Sequence, residues 1–127
     1  MIIGIGTDIS ENQRIGNILN KFNKKFLEKV FMPEEIEYCM KKNNPVPHLS
    51  ARYALKEAFI KALGLKKPFG LSYKDVGISG KTGKKNLIVT GNLKNLYEKS
   101  GANHAHFSIS HSNENSIACV ILEKISA

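Results

Sequence analysis

The stretch Ser50-Ala51-Arg52-Tyr53-Ala54-Leu55-Lys56-Glu57-Ala58-Phe59-Ile60-Lys61-Ala62-Leu63-Gly64 decides how this chain folds. Leu55, Ala58, Phe59, Ala62 and Leu63 fall at i, i+3, i+4, i+7 and i+8. That spacing lines one side of a 3.6-residue repeat and predicts a helix with a core face. Ser50 has an N-cap side chain, and Gly64 can close the helix. Glu57 and Lys61 lie one turn apart on a different face. Taken alone they read as an exposed ion pair worth about 0.2–0.5 kcal/mol.

Toward the N-terminus, Asn43-Asn44-Pro45-Val46-Pro47 reads as a loop. Pro33 suits the first position of a helix running to about Lys42, with Glu34, Glu35 and Glu37 near its positive end. Ser10-Glu11-Asn12-Gln13 fits a capping box. The helix it opens would carry Ile15, Ile18, Leu19, Phe22 and Phe26 as an apolar stripe. Arg14, Lys21, Lys24, Lys25 and Lys29 fall on its other face. Met1–Thr7 reads as a short buried strand containing Gly4 and Gly6 and ending at Asp8.

Toward the C-terminus the pattern changes to strands. Asp75–Ser79 and Leu87–Thr90 flank Gly80–Lys85, a hairpin signal. Asn92–Ser100 reads as a short helix. His104–Ser110 alternates, with Ala105, Phe107 and Ile109 on one face and His106, Ser108 and Ser110 on the other. Asn113–Asn115 is a turn and Ser116–Ile125 a last strand. Helices early and antiparallel strands late argue an α+β fold, with helices packed on an antiparallel sheet.

The chain has 127 residues, 42% of them hydrophobic and 24% charged. That is the size of one domain, 1–127, with enough apolar material to exclude disorder as its main state. No apolar run approaches the roughly 18–20 residues that span a bilayer. Met1-Ile2-Ile3-Gly4 has no basic lead-in of an export signal. Cys39 and Cys119 then read as reduced, buried thiols, and the expected location is the cytoplasm. Lys and Arg number 19 against 11 Asp and Glu, a net +8. Such a field favours an anionic partner: nucleic acid, acidic protein, anionic lipid or a phosphorylated small molecule.

Several familiar patterns fail. Gly4-x-Gly6 lacks the third glycine of a dinucleotide fingerprint, since position 9 is Ile. Gly80-Lys81-Thr82 ends like a phosphate-binding loop, but Asp75 stands where its first glycine belongs. His104 and His106 share a face without a third ligand for zinc.

Asp8 and Glu57 carry the chemical argument. Each is a charge set in apolar sequence, and each has a bland reading as a solvated or ion-paired residue. The functional reading is a Mg²⁺ site, because Mg²⁺ is held by one or two carboxylates, waters and substrate phosphates. Lys61 would suit the same phosphates. Ser108-Ile109-Ser110-His111-Ser112 adds a dense set of hydroxyl and imidazole groups entering a turn.

Together these blocks resemble the holo-acyl-carrier-protein synthases, the small 4′-phosphopantetheinyl transferases. Gly4-Ile5-Gly6-Thr7-Asp8-Ile9 with Arg14-Ile15 resembles their first motif, and Phe31-Met32-Pro33-Glu34-Glu35-Ile36-Glu37-Tyr38-Cys39 their second. The stretch Leu49–Gly64 resembles their signature helix, with its K-E-A-x-x-K-A-L-G core. Ser108–Ser112 resembles their last block. Departures are Tyr53, Leu55 and Ser112, where the family often has Phe, Ala and Thr, and Tyr73, where Trp is common. None of them sits on a residue with a proposed charged role.

The resemblance implies the fold of that family and transfer of 4′-phosphopantetheine from coenzyme A to a serine of apo-acyl carrier protein. It implies Asp8, Glu57 and Lys61 as catalytic residues, with Asp8 and Glu57 holding Mg²⁺. Arg52, Lys61, Gly64, Ser110, His111 and Ser112 are the candidates for binding coenzyme A. Arg14, Lys21, Lys24 and Lys25 would meet the acidic carrier. A homotrimer with sites at subunit interfaces is implied as well, with no membrane and no nucleic acid as partner. The competing reading is a basic nucleic-acid-binding module. It accounts for the net charge and for Lys81, Lys84 and Lys85, but not for Asp8 and Glu57.

Overall fold

The computed structural model describes residues 1–65, 71–80 and 83–126. Lys81 and Thr82 of the expected hairpin turn lie outside the described residues. The elements are β1 (Ile2–Glu11), α1 (Asn12–Phe22), α2 (Lys24–Val30), α3 (Pro33–Met40), α4 (Pro45–Ala62), β2 (Val76–Ser79), β3 (Asn86–Val89), α5 (Gly91–Lys99), β4 (His104–His111) and β5 (Asn115–Glu123), with a 3₁₀ turn at Tyr73–Asp75 before β2. An antiparallel sheet runs β1-β5-β4, and β2 pairs with β3 as a second, two-stranded sheet. The expected α+β fold is what forms.

Register determines which side chains face the long helix. Gly4 sits opposite Leu122, Gly6 opposite Val120 and Asp8 opposite Ala118. These positions share the inner face, where α4 lies across the sheet. A Cβ on Gly4 would overlap the carbonyl of Ala62, and one on Gly6 that of Ala58. The two glycines therefore set how closely β1 approaches α4. Gly6→Ala should lower stability by about 1–3 kcal/mol, because the clash is with backbone that cannot swing aside. An unchanged urea midpoint would show that the helix can move away.

The core face expected of α4 is present: Leu55, Ala58 and Phe59 are fully buried and Ala62 nearly so. They pack with Val76, Leu93, Val120 and Leu122. A second cluster joins Ile15, Phe26, Leu27, Phe31, Cys39 and Leu49 under the early helices. Burial pushes the Cys39 thiol up to about 11, against the opposing pull of Arg52. It is inert at neutral pH. Cys119, expected to be buried, is only partly covered.

Three boundaries differ from the sequence reading, each for a local reason. Ser10 is not a cap. It is buried within β1 and pairs with Ser116, because β5 offers β1 a partner as far as Glu11. The single helix expected after it is two, broken at Asn23, whose φ is 47°. Asn tolerates that left-handed region, and the break leaves Phe22 at the end of the stripe, 49% exposed. The loop expected over Asn43–Pro47 is confined to Asn43 and Asn44, and Pro45–Pro47 open α4. Pro45 takes the first helical position and Pro47 the first turn, where no N–H is needed. Ser50 thus lies inside the helix, donating from Oγ to the Ser10 carbonyl at 3.4 Å.

A buried charge pair fastens α3, α4 and β2. Lys56 Nζ donates to Glu35 Oε1 at 2.6 Å, with both side chains fully buried. Nζ also donates to the carbonyls of Val76 (2.6 Å) and Tyr73 (3.1 Å). Glu35 accepts in addition from the backbone N–H of Met32 (3.0 Å) and Ile78 (3.2 Å). Burial pulls the Lys56 ammonium below its ordinary pKa, and the Glu35 carboxylate opposes that pull.

The outer face of the three-stranded sheet is apolar at its centre. Ile5 is 62% exposed, Ile9 64% and Ile117 48%. Ile121 sits opposite Ile5 and Ile117 opposite Ile9, with Cys119 between them.

Candidate active site

The strand β1 brings Asp8 to the inner face, and α4 brings Lys61 to meet it. Lys61 Nζ donates to Asp8 Oδ1 at 2.9 Å and to the Thr7 carbonyl at 3.1 Å. The pair is partly solvated, with Lys61 53% exposed and Asp8 17%. Lys61 thus pairs across to Asp8 and not along its own helix to Glu57, as the simple i,i+4 reading had it. Asp8 and Lys61 border a cavity of about 480 Å³ whose wall includes Thr7, Ser108, Ser110 and Cys119.

One turn before Lys61, Glu57 Oε1 accepts two phenolic hydrogen bonds. Tyr73 donates at 2.8 Å and Tyr53 at 3.1 Å. The tyrosine rings lie 5.7 Å apart. Burial, reinforced by the Glu57 carboxylate, pushes both hydroxyls up, so both remain protonated donors. The departures at Tyr53 and Tyr73 therefore do touch a residue with a proposed charged role. Their hydroxyls were legible as polar groups, but nothing in the spacing of positions 57 and 73 signalled contact.

Arg52, Ser110 and His111 come together in a second cavity of about 390 Å³, joined by Lys42, His48 and Lys85. The last three were missed by sequence reasoning, because the segment between α3 and α4, α4 itself and the β2–β3 connection each supply one. Arg52 is 2% exposed. Its Nη1 donates to the His48 carbonyl at 3.3 Å, and its guanidinium lies 4.5 Å from the Tyr38 ring centre. Arg52 Nε has no partner among the described residues. The rings of His48 and His111 are 5.2 Å apart. Burial, then the charges of His111, Lys42, Arg52 and Lys85, lowers the His48 pKa. A cavity so furnished with donors and cations is suited to an anion.

Two expected residues stand apart. Ser112 serves the β4–β5 turn, its Oγ accepting from the Asn115 N–H at 3.2 Å. Gly64 closes α4 as expected, at φ 76°. Arg14, Lys21, Lys24 and Lys25 are all exposed on α1 and α2. Lys24 makes an ion pair with Glu28 at 3.7 Å.

The chemistry of the donor set suits a hard divalent ion with phosphate ligands: Asp8 borders the cavity with Lys61 beside it, and Glu57 offers a second carboxylate one helical turn away. Among the described residues there is no group of three or more His, Cys, Asp or Glu side chains suited to hold a metal by themselves. No helix among them is long and apolar enough to cross a membrane.

A family model described as the 4′-phosphopantetheinyl transferase superfamily matches residues 4–121. A holo-[acyl-carrier-protein] synthase from Halothermothrix orenii is 41% identical over 125 residues, covering 98% of this chain and 99% of that one. The crystal structure of the holo-[acyl-carrier-protein] synthase from Neisseria meningitidis superposes with a TM-score of 0.86 at 34% identity, covering 98% of this chain and 100% of the other. That of the Helicobacter pylori synthase, in complex with coenzyme A, gives a TM-score of 0.80 at 31% identity over 94% of this chain and 99% of the other.

Proposed function

The chain belongs to the 4′-phosphopantetheinyl transferase superfamily, and from that premise we propose how its residues move 4′-phosphopantetheine. It is an enzyme, and it transfers that group from coenzyme A to a serine of apo-acyl carrier protein, releasing adenosine 3′,5′-bisphosphate. The observation that carries the assignment of roles is the meeting of Asp8 and Lys61 at the mouth of the larger cavity, one helical turn from Glu57.

Asp8 and Glu57 would hold Mg²⁺, with the pyrophosphate of coenzyme A as its substrate ligand. The ion, when bound, supplies stabilisation of the negative charge that builds on the phosphoryl and bridging oxygens. Lys61 adds a second positive charge to the same oxygens, and Asp8 keeps it aimed there. Arg52, Ser110 and His111, together with Lys42, His48 and Lys85, receive the 3′-phosphate end. The unpartnered Nε of Arg52 supports that placement. Gly64, whose N–H donates to the Lys61 carbonyl at 2.9 Å, lies beside the same ligand.

Arg14, Lys21, Lys24 and Lys25 dock the acidic carrier, chiefly by raising the rate of encounter. Residues 1–127 act as one domain, in the cytoplasm. Three such chains assemble through the outer sheet face, and the exposed Ile5, Ile9 and Ile117 support this, since monomers rarely leave such a patch open. Light scattering that returns the mass of one chain would reject the trimer.

Intact mass spectrometry tests the reaction. Apo-acyl carrier protein incubated with this protein, coenzyme A and Mg²⁺ should gain the mass of one phosphopantetheine, and EDTA should abolish the gain. A gain that survives EDTA would remove the metal from the mechanism. No gain with several folded carriers would remove the transferase reading.

A further inference from the structure

Glu57 is held unlike an ordinary exposed helical carboxylate. Its Oε1 takes two hydrogen bonds, from Tyr73 and Tyr53, and its Oε2 takes none among the described residues. The donors come from different directions. Tyr53 stands on α4 one turn before Glu57, whereas Tyr73 arrives from the 3₁₀ turn that precedes β2. The backbone of that turn is fixed in its own right, because the Tyr73 carbonyl accepts from the buried Lys56 and the Ser72 carbonyl accepts from the Asp75 N–H. A glutamate side chain has three rotatable bonds and loses much rotamer freedom when pinned. Two donors on one oxygen fix the carboxylate plane and leave the other oxygen as its free ligand atom.

We propose that Tyr53 and Tyr73 are positioning residues: they clamp Glu57 through Oε1 so that Oε2 is presented, already oriented, to the divalent cation. The inference rests on the reading of Glu57 as a ligand of the metal. It adds that metal affinity is set in part by two phenols that touch neither the ion nor the substrate. Orienting partners of this kind typically change metal affinity or activity about 10–100-fold when removed.

The test uses Tyr53→Phe, Tyr73→Phe and the double variant, with Glu57→Gln as the reference. Phe keeps the ring and its packing, so thermal unfolding should be near that of the parent. Binding of Mn²⁺, read from the loss of the free-ion electron paramagnetic resonance signal with coenzyme A present, gives a measure independent of turnover. The double variant should bind Mn²⁺ about 10–100-fold more weakly than the parent. Each single variant should fall between. Turnover of the double variant should recover toward the parental rate when Mg²⁺ is raised, since the chemistry is intact and only the site is disordered. A purely structural role would not be rescued by the ion.

Parental Mn²⁺ affinity in the double variant, with affinity lost in Glu57→Gln, would overturn the clamp and leave the metal ligand standing. Parental affinity in Glu57→Gln itself would overturn both.

Discussion

Lys56→Met should cost the fold about 3–5 kcal/mol, the usual effect of stranding one partner of a buried ion pair. The Glu35 carboxylate would remain fully buried with only the N–H groups of Met32 and Ile78 for partners. The carbonyls of Val76 and Tyr73 would lose their donor at the same time. Urea unfolding measures the loss. Adding Glu35→Gln to Lys56→Met removes the stranded charge and should return part of the stability. An unchanged midpoint in Lys56→Met, or a double variant weaker than the single, would show that water reaches the pair. Turnover should fall as well, because the same lysine fixes the carbonyl of Tyr73.

The second large effect is on the reaction. Lys61→Ala should lower kcat by about 10²–10³, the range seen when a single charge-stabilising donor is removed. The fold should survive, since Lys61 is half exposed and its pairing with Asp8 is partly solvated. Asp8→Ala should be at least as severe, because it removes a proposed metal ligand and frees Lys61 to wander. Single-turnover rates at saturating coenzyme A and Mg²⁺ check both. A loss confined to KM would reassign Lys61 to ground-state binding.

Much of this molecule was legible in the chain. The core face of α4, the alternation of β4 and the Pro33 start of α3 follow from periodicity and from proline placement; the sequence also singled out Asp8, Glu57 and Lys61, but it paired Lys61 with Glu57 rather than with Asp8. Cap and breaker signals were less faithful. Ser10 carries a cap residue's side chain, yet β5 outbids it by offering a full ladder of backbone hydrogen bonds. Pro45 and Pro47 break helices in their interiors but open them in their first turn, and the dipeptide pattern does not tell which applies. Contacts made by tertiary folding left no trace at all. Glu35 and Lys56 are 21 positions apart, and each resembles a surface residue until the helices are stacked. The same holds for Tyr73 on Glu57, and for Lys42, His48 and Lys85 around Arg52.

The helix α4 carries Arg52, Glu57 and Lys61 on one unbroken length of backbone. At a rise of about 1.5 Å per residue, the nine steps from Arg52 to Lys61 span about 13.5 Å. The helix is thus a gauge. It sets the spacing between Arg52 and the charges of Glu57 and Lys61 by backbone geometry alone. Adding a single alanine between Arg52 and Glu57 would delete no functional group, yet it would swing Glu57 and Lys61 by about 100° relative to Arg52. Evolution can exchange side chains along this rod, but it can scarcely change the number of residues between its marks.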